Sequence, residues 1–374
     1  MKYYIIAGER SGDLHGSNLV KELKKLDGTA TFRGLGGEEM ERNGVSLLFH
    51  YGQLAFMGFL AVINFFKIAA YMKQCQRDVL QYKPDALILI DYGGFNRQMA
   101  KFGKRNQIKI LYYIPPKVWA WRQARAWSLK ENADQLYVIL PFEKEFYKRY
   151  GMDVNYVGNP VLDAIKSFQP NQNFQSEQQI PSDKKIIALL PGSRKMELER
   201  IVPLMAEVAK QNPSFQFVVA AVDNLPEYLY ASFKQLNNVK FVYNQTYDLL
   251  LRARSAVVTS GTATLETALL NVPQVVVYKA GGLEYSIAKS VVKVKFISLV
   301  NLIANREVVK ELIQADANPA KLQQELTVIT KETEQRQQML ESYKKIYQTL
   351  DTGSASANTA KLMFDYLTKV GGQR

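Results

Sequence analysis

Gly192, Ser193 and Arg194 stand between a predicted buried strand and a predicted helix, and their types suit phosphate binding. Glycine lets a ligand approach the backbone closely, and N–H groups at the start of a helix favour an anion. The guanidinium of Arg194 adds a permanent charge that can bind phosphate through two hydrogen bonds. The loop therefore predicts a phosphate site, with an ordinary capped strand–helix junction as the alternative.

A second loop of the same kind follows the apolar run at 256–259. Ser260, Gly261 and Thr262 are small and polar, so their N–H groups could contact a diphosphate. Glu266 lies one turn into the next predicted helix, where its carboxylate could accept hydrogen bonds from the hydroxyls of a ribose. Helix capping explains this segment about as well. Two such loops in one half of the chain nevertheless favour a ligand, because ligands of open α/β sheets bind at the carboxyl ends of strands.

Asp91 is the candidate general base. It ends the strong apolar run at 86–90 and precedes two glycines. A carboxylate at the end of a parallel strand points into the ligand crevice, where it can take a proton from a reacting hydroxyl. A turn-forming aspartate before glycine is an equally good explanation.

Several other sites are absent from the sequence. There is no P-loop, no G-x-G-x-x-G after a strand and no G-x-S-x-G nucleophile elbow. The two histidines, His15 and His50, are too few for a histidine-rich metal site, and no Asp-x-Asp pair is present. We therefore expect neither a metal nor another cofactor. If the ligand is a sugar nucleotide, arginine and backbone dipoles must neutralise its diphosphate.

The elements that position these residues alternate between apolar strands and amphipathic helices. We predict strands at 3–7, 86–90, 108–113, 135–140, 186–190, 215–220, 256–259 and 274–278, and helices such as 143–150, 196–210 and 264–270. This pattern is typical of parallel sheets covered by helices on both faces. The polar, Gln-rich and Asn-rich stretch 166–185 is predicted to be a linker. The sequence thus predicts two α/β domains facing each other across a cleft.

The composition limits the class of protein and of partner. The chain has 374 residues, 47% of them hydrophobic, and one cysteine, Cys75, which favours a reducing compartment. No secretory signal is predicted at its start. The formal net charge is +13, and residues 54–130 contain thirteen Lys or Arg against three Asp. This asymmetry suggests an anionic partner, although a well-solvated basic face would show it as well.

Two segments in this basic region suggest contact with lipid. Residues 53–74 are mostly apolar but are interrupted by Asn64 and Lys67, so an interfacial or core segment is expected and not a membrane span. The string "KVWAWRQARAW", residues 117–127, interleaves three Trp with cationic residues. That composition is typical of a membrane interface, and it would also suit single-stranded nucleic acid.

Nine strings taken together resemble one family, the lipid-A-disaccharide synthases. They occur in the family's order and cover nearly the whole chain: "AGERSGDLHG", "MGF", "LIDYGGFN", "PPKVWAWRQ", "LPFEKEFY", "VGNPVLD", "LPGSRKMELER", "SGTATLETAL" and "NLIANREVVKELIQ". Each string alone is weak, and the set is highly specific.

The resemblance implies an inverting glycosyltransferase of the GT-B fold, with two Rossmann-like domains. The expected domains are 1–168 for the acceptor and membrane, 183–350 for the UDP-sugar, and a C-terminal helix, 351–374, that packs back on the first. The implied reaction joins UDP-2,3-diacylglucosamine to 2,3-diacylglucosamine 1-phosphate and releases UDP and a β-1,6-linked disaccharide 1-phosphate. The implied location is peripheral, on the cytoplasmic face of the inner membrane, and homo-oligomers are left open.

Roles are carried over by motif. Asp91 is then the base for the acceptor hydroxyl, and Arg194 stabilises the leaving UDP. The other residues expected to bind substrate in the second domain are Gly192, Ser193, Ser260, Gly261, Thr262, Glu266 and Asn301.

The opening loop is assigned to the acceptor side. Gly8, Gly12 and Gly16 do not have the spacing of a dinucleotide fingerprint, so the nucleotide is placed in the second domain. Ser11, Gly12 and Asp13 are expected to line the acceptor site, and His15 is the second candidate base.

The sequence departs from the family pattern at three positions: Ala61 for Glu, Gly94 for a second Asp and Asn159 for His. Ala61 removes a Glu that could have been catalytic, and Gly94 leaves Asp91 as the carboxylate that matters. Two other hypotheses stay open: a UDP-sugar transferase or epimerase of this fold with a soluble substrate, and a nucleic-acid-binding module.

Overall fold

The computed structural model describes residues 1–53, 65–282, 285 and 294–371. The chain divides into two compact units. The first contains Met1–Pro160 and Thr352–Arg374, and the second contains Val161–Asp351. Within the described ranges, no helix combines the length and apolarity needed to cross a membrane.

The first unit is built on a parallel sheet of seven described strands in the order β3-β2-β1-β4-β5-β6-β7. Their bounds are β1 Lys2–Ala7, β2 Thr31–Gly36, β3 Val45–His50, β4 Ala86–Ile90, β5 Lys109–Tyr113, β6 Gln135–Val138 and β7 Asn155–Tyr156. The central strands β1 and β4 are buried on both faces, which explains their unbroken apolar sequences.

Helices cover both faces of this sheet. They are α1 Arg10–Leu26, α2 Glu38–Arg42, α3 Phe65–Tyr82, α4 Gly93–Arg105, α5 Arg125–Asn132, α6 Phe142–Lys148, α7 Pro160–Ser167 at the unit boundary, and α15 Ala355–Gly371 at the end of the chain. Helix α15 packs against α1, and its Ala360, Met363 and Leu367 belong to the core of the first unit.

The second unit repeats this plan with a parallel sheet of six described strands in the order β10-β9-β8-β11-β12-β13. The strands are β8 Ile186–Leu190, β9 Gln216–Ala221, β10 Val239–Tyr243, β11 Ala253–Thr259, β12 Gln274–Tyr278 and β13 Lys310–Ile313. The helices are α8 Phe174–Glu177, α9 Lys195–Gln211, α10 Thr246–Arg252, α11 Thr262–Leu269, α12 Leu299–Ala304, α13 Pro319–Thr330 and α14 Glu334–Leu350, with short 3₁₀ turns at Glu227–Phe233 and Gln314–Asp316.

The eight predicted strands are all confirmed within a few residues at their ends. The strands that the sequence did not reveal are β2, β3, β7, β10 and β13. These lie at or near sheet edges, and several alternate polar with apolar residues or contain glycine, so they lack the continuous apolar run of a central strand.

The prediction of a linker at 166–185 is wrong. Phe174 is fully buried and Ile180 is 5% exposed, and both belong to the core of the second unit. The backbone N–H of Asn171 donates to Asp248 at 2.7 Å, and the guanidinium of Arg252 lies 5.2 Å from the Phe174 ring. The segment is polar because most of its surface faces solvent, yet two apolar anchors hold it to the domain.

The strand order identifies where each sheet can bind a ligand. In the first unit the order reverses between β1 and β4, and in the second it reverses between β8 and β11. The crevice outside the carboxyl ends of such strands is the usual ligand site of an open α/β sheet. The loops that leave β1, β4, β8 and β11, together with the first two turns of the helices that follow them, contain all the predicted site residues except Asn301.

Candidate active site

The backbone holds Asp91 in an unusual conformation at the end of β4. Asp91 and Tyr92 have φ of 44° and 48°, in the left-handed region that non-glycine residues rarely adopt. The carbonyl of Asp91 accepts hydrogen bonds from Asn96 Nδ2 at 2.8 Å and from the Tyr112 hydroxyl at 3.0 Å, and its N–H donates to Ile114 O at 3.2 Å. Backbone strain of this kind costs about 1–3 kcal/mol per residue and is concentrated at functional sites.

The environment of Asp91 suits a proton acceptor. Burial raises the pKa of its carboxyl above the usual range, and the nearby charge of Lys117 and the N–H of Tyr92 oppose that rise. A base with a raised pKa takes a proton more readily at neutral pH than an ordinary aspartate does.

The loop after β1 lies beside Asp91 because β1 pairs with β4. Gly8 is required there, since a Cβ on it would lie 2.2 Å from the Tyr92 ring. Ser11 is exposed and Gly12 is buried against Ala7. Burial lowers the pKa of His15 to about 4, so its imidazole is neutral at pH 7 but is a weak base.

The side chain of Asp13 is hydrogen-bonded within the protein. Its carboxylate is 2% exposed and accepts hydrogen bonds from the N–H groups of Gly37, Glu39 and Met40 at 2.7, 3.0 and 3.1 Å. These donors belong to the start of α2, so Asp13 on α1 caps a neighbouring helix. Asp13 thus lies in the first turn of α1, after β1, and its carboxylate oxygens are used in hydrogen bonds to the backbone at the start of α2.

Two N–H groups of the Gly192–Arg194 loop, those of Ser193 and Arg194, are occupied, contrary to the expectation that they are free. Glu197, one turn into α9, accepts from the N–H of Ser193 at 3.0 Å and of Arg194 at 3.2 Å. Gly192 has φ 109°, and a Cβ on it would lie 2.3 Å from Glu197 Oε2. The Arg194 side chain remains 82% exposed, with one guanidinium N–H 3.3 Å from Glu197 Oε1.

The helix after β11 starts without a side-chain cap. Helix α11 begins after Gly261, and among the described residues no side-chain hydrogen bond caps its N-terminus. Gly261 and Thr262 are exposed, whereas the Ser260 hydroxyl donates to Ile297 O at 2.9 Å. Strands β8 and β11 are hydrogen-bonded neighbours. Arg194 follows β8 and the start of α11 follows β11, so the two lie at the carboxyl ends of adjacent strands.

Glu266 is held by a tyrosine. Its Oε1 accepts a hydrogen bond from the Tyr247 hydroxyl at 2.8 Å, and the ring of Tyr247 makes an edge contact with Phe168. Burial raises the pKa of Glu266, and the bond from Tyr247 opposes that rise. One carboxylate oxygen is thus fixed by protein, and the other can accept from a ligand hydroxyl.

Asn301 is fully buried, and its side chain is saturated by protein partners. Its Oδ1 accepts from the N–H of Val308 at 2.7 Å and of Val309 at 2.9 Å, and its Nδ2 donates to Glu311 Oε1 at 2.8 Å. Glu311 Oε1 also accepts a hydrogen bond from the Ser298 hydroxyl at 2.8 Å. Asn301 therefore shapes the end of α12 and the chain that leads into β13.

Comparison with known proteins decides the family. A family model described as lipid-A-disaccharide synthetase matches residues 3–363. The chain belongs to the lipid-A-disaccharide synthase family. Lipid-A-disaccharide synthase 1 of Legionella pneumophila (strain Paris) is 36% identical over 370 residues, which cover 96% of either chain. As a member of this family, the protein is a hexosyltransferase of lipid A biosynthesis.

Solved structures support the fold. The S. aureus MnaA–UDP co-structure has a TM-score of 0.69 and 13% identity, covering 98% of this chain and 97% of that one. CalG4, the calicheamicin glycosyltransferase, has a TM-score of 0.65 and 12% identity, covering 99% of this chain and 98% of that one. The two-domain α/β architecture of this chain is thus of the GT-B class.

Three residues that fix the site by hydrogen bonds, Glu197, Tyr247 and Glu311, were not predicted from the sequence. Glu197 carries a signal that could have been used, because a glutamate three residues after a helix-start residue is the mark of a capping box. Tyr247 and Glu311 carry no such local signal, since their partners are 19 and 10 residues away in the chain.

The three tryptophans are not all exposed on one surface. Trp119 is 5% exposed, and its Nε1 donates to the buried Glu143 at 3.0 Å. Trp121 and Trp127 are 45% and 52% exposed. Only these two can meet a lipid surface.

The three departures from the family pattern have different surroundings. Ala61 lies outside the described residues, as does half of the apolar segment 53–74, residues 54–64. Gly94 is exposed, and a Cβ there would meet no atom within 4 Å. Asn159 is 2% exposed and its Nδ2 donates to Ile139 O at 3.0 Å.

No group of three or more His, Cys, Asp or Glu in the described ranges is arranged to hold a metal ion.

Replacing Asp13 with alanine should destabilise the first unit and leave substrate affinity in the folded fraction unchanged. The change leaves buried N–H groups of α2 without acceptors, at a cost of about 1–3 kcal/mol. Urea unfolding at pH 7 measures the loss, and Asp13→Asn should lose less because it keeps one acceptor oxygen. A raised KM at unchanged stability would instead make Asp13 a substrate ligand.

The dependence of kcat/KM on pH should show an acid limb above the usual carboxyl value of about 3.9. Asp91 must be ionised to accept a proton, and its pKa is raised, so activity should fall as the pH drops through that value. Initial rates between pH 4 and about 9 at fixed ionic strength test this. A limb at or below the ordinary carboxyl value would exclude Asp91.

Proposed function

We propose that the enzyme transfers 2,3-diacylglucosamine from its UDP derivative to O6 of 2,3-diacylglucosamine 1-phosphate. The products are the β-1,6-linked disaccharide 1-phosphate and UDP, with inversion at the anomeric carbon. The observation that carries the proposal is that Asp91, Arg194 and Glu266 follow the carboxyl ends of strands at the two order reversals, Glu266 in the helix α11 after β11, in a chain of this family. The MnaA structure of similar fold is described with UDP, which supports a uridine nucleotide here.

Asp91 acts on the acceptor. Its carboxylate takes the proton of the O6 hydroxyl as that oxygen attacks the anomeric carbon from the face opposite UDP. The bond from this carbon to the UDP oxygen breaks, and UDP leaves with the bonding electrons. Proton transfer to a positioned base typically contributes about 10²–10⁴-fold to a rate.

Arg194 and the start of α11 act on the donor. Charge develops on the diphosphate as UDP leaves, and the exposed guanidinium of Arg194 can pair with it in bidentate fashion. Because Glu197 occupies the N–H groups of Ser193 and Arg194, we assign the backbone contacts to the uncapped start of α11 instead. Glu266 accepts hydrogen bonds from the ribose. No metal or other cofactor takes part in this scheme.

We further propose that the enzyme works as a peripheral protein on the cytoplasmic face of the inner membrane, without a nucleic-acid partner. The basic region 54–130 and the exposed rings of Trp121 and Trp127 support this. Juxtamembrane basic residues gain about 1 kcal/mol each near an anionic surface. Sedimentation with anionic vesicles that weakens steeply with salt would agree, whereas equal binding to zwitterionic vesicles would argue against it.

Incubation in detergent micelles with each pair of candidate substrates tests the reaction. We expect UDP release with UDP-diacylglucosamine and the monosaccharide 1-phosphate together, and none with either alone. UDP-N-acetylglucosamine, which lacks the acyl chains, is the matched control. Turnover or epimerisation of that control, with no reaction of the acylated donor, would favour a soluble substrate.

A further inference from the structure

We propose that Arg97, Arg122 and Arg125 bind the phosphate group of the acceptor. The inference rests on the proposed function and deepens it, by naming the residues that recognise a phosphate monoester on the sugar that attacks. Arg97 lies in the first turns of α4, directly after Asp91. Arg122 and Arg125 follow β5, the strand that pairs with β4, and Arg125 begins α5.

The three side chains form one cluster. The guanidinium carbons of Arg122 and Arg125 lie 4.9 and 5.7 Å from the centroid of the same Trp121 ring. Helices α4, which carries Arg97, and α5, which begins with Arg125, pack against each other. The pKa of Arg125 is lowered by burial and then by the charges of Arg122 and Arg97, as expected for guanidinium groups within electrostatic range.

The described residues place no acidic side chain in an ion pair with this cluster. In the described part of the chain, no ion pair joins Arg97, Arg122 or Arg125 to an acidic side chain, whereas Arg33 and Asp78 do form such a pair. The first turns of α4 and α5 contain no acidic residue, and within the described ranges no side-chain hydrogen bond caps either helix. The positive ends of the helices therefore add to the field of the arginines. Like charges gathered without a counter-charge are arranged for an anion that comes from outside.

The position of the cluster selects the acceptor phosphate over other anions. Arg97 stands four residues after Gly93 at the start of α4, so its Cα lies roughly 6 Å further along the helix axis. The 1-phosphate of the acceptor is attached to C1 and the reacting O6 to the exocyclic C6 on C5, so the two groups extend from the two carbons that flank the ring oxygen. A single acceptor can therefore place O6 at Asp91 and its phosphate at the arginines.

Direct titration of two lipids in detergent micelles tests the inference without the donor. The probes are 2,3-diacylglucosamine 1-phosphate and the same lipid without its phosphate. Wild-type protein should bind the phosphorylated lipid about 10- to 100-fold more tightly, the range that hydrogen bonds to a charged group support. The double variant Arg122→Gln, Arg125→Gln should bind both lipids equally. Lys130→Gln, which removes a cation 5.3 Å from the exposed Trp127 ring, is the matched control and should behave as wild type.

Each alternative result overturns the inference. It is wrong if the wild type shows no preference for the phosphate, or if the double variant keeps the full preference. Loss of sedimentation with phosphatidylglycerol vesicles, with the preference in micelles retained, would assign the arginines to the lipid surface instead. Arg97→Gln gives an independent variant should the double variant not fold. Because no donor is present, a failure of glycosyl transfer would count against the proposed function alone.

Discussion

Asp91→Asn should lower kcat by about 10²–10⁴-fold, which is what a positioned general base contributes. Asparagine is close in size to aspartate and tolerates the left-handed backbone at φ 44°, so the loop should keep its shape. The amide cannot take the proton of the acceptor hydroxyl. Steady-state rates under saturating substrates, together with the circular dichroism spectrum, give the result.

Asp91→Asn should increase the stability of the fold at pH 7 although it lowers activity. The raised pKa of Asp91 means that the folded state favours the protonated form, so stability from this group is full at low pH and lost as the pH rises through the folded pKa. At pH 7 the ionised carboxylate therefore costs stability, and Asp91→Asn should unfold at slightly higher urea concentration. His15→Gln is the control for the other candidate base. If that variant loses the chemical step and Asp91→Asn does not, the assignment of the base is wrong.

Arg194→Ala should lower kcat by about 10²–10³-fold, the usual effect of removing one preorganised charge that stabilises a transition state. The side chain is 82% exposed, so its loss should leave the free energy of unfolding nearly unchanged. Arg194→Lys should recover little of the activity, because an ammonium cannot form the bidentate contact with phosphate.

The neighbouring cation provides the control for Arg194. Lys195 is 46% exposed and lies one residue further into α9, with Glu199 at 3.7 Å. Lys195→Ala should keep activity within a few-fold of wild type if the effect depends on the guanidinium itself. Equal losses in the Lys195 and Arg194 variants would show a general effect of positive charge.

The strands at the centre of each sheet could be predicted from the sequence because they are buried on both faces. The bounds of β4, β8 and β12 were predicted without error, since a continuous apolar run admits little ambiguity. The loops that follow β4, β8 and β11 could be predicted from the same pattern. The edge strands and the anchored segment at 166–185 could not, because only some of their residues are buried.

The roles of several site residues depended on contacts that a sequence does not show. Asp13 is a ligand-like residue at a helix start, but its partners lie 24 to 27 residues away on α2. Asn301 is in the motif that resembles the family, yet its amide is used within the second unit. The type and position of such residues can be predicted from the sequence, but their hydrogen-bond partners are determined by the tertiary structure.

The structure of the product tests the central claim most directly. Wild-type enzyme in detergent would be given UDP-diacylglucosamine and diacylglucosamine 1-phosphate, and the lipid product examined by proton NMR. We predict one UDP released for each disaccharide formed, with the new anomeric proton showing the large coupling of a β linkage to O6. Absence of disaccharide with folded wild-type enzyme, or a product that retains the configuration of the donor, would contradict the account.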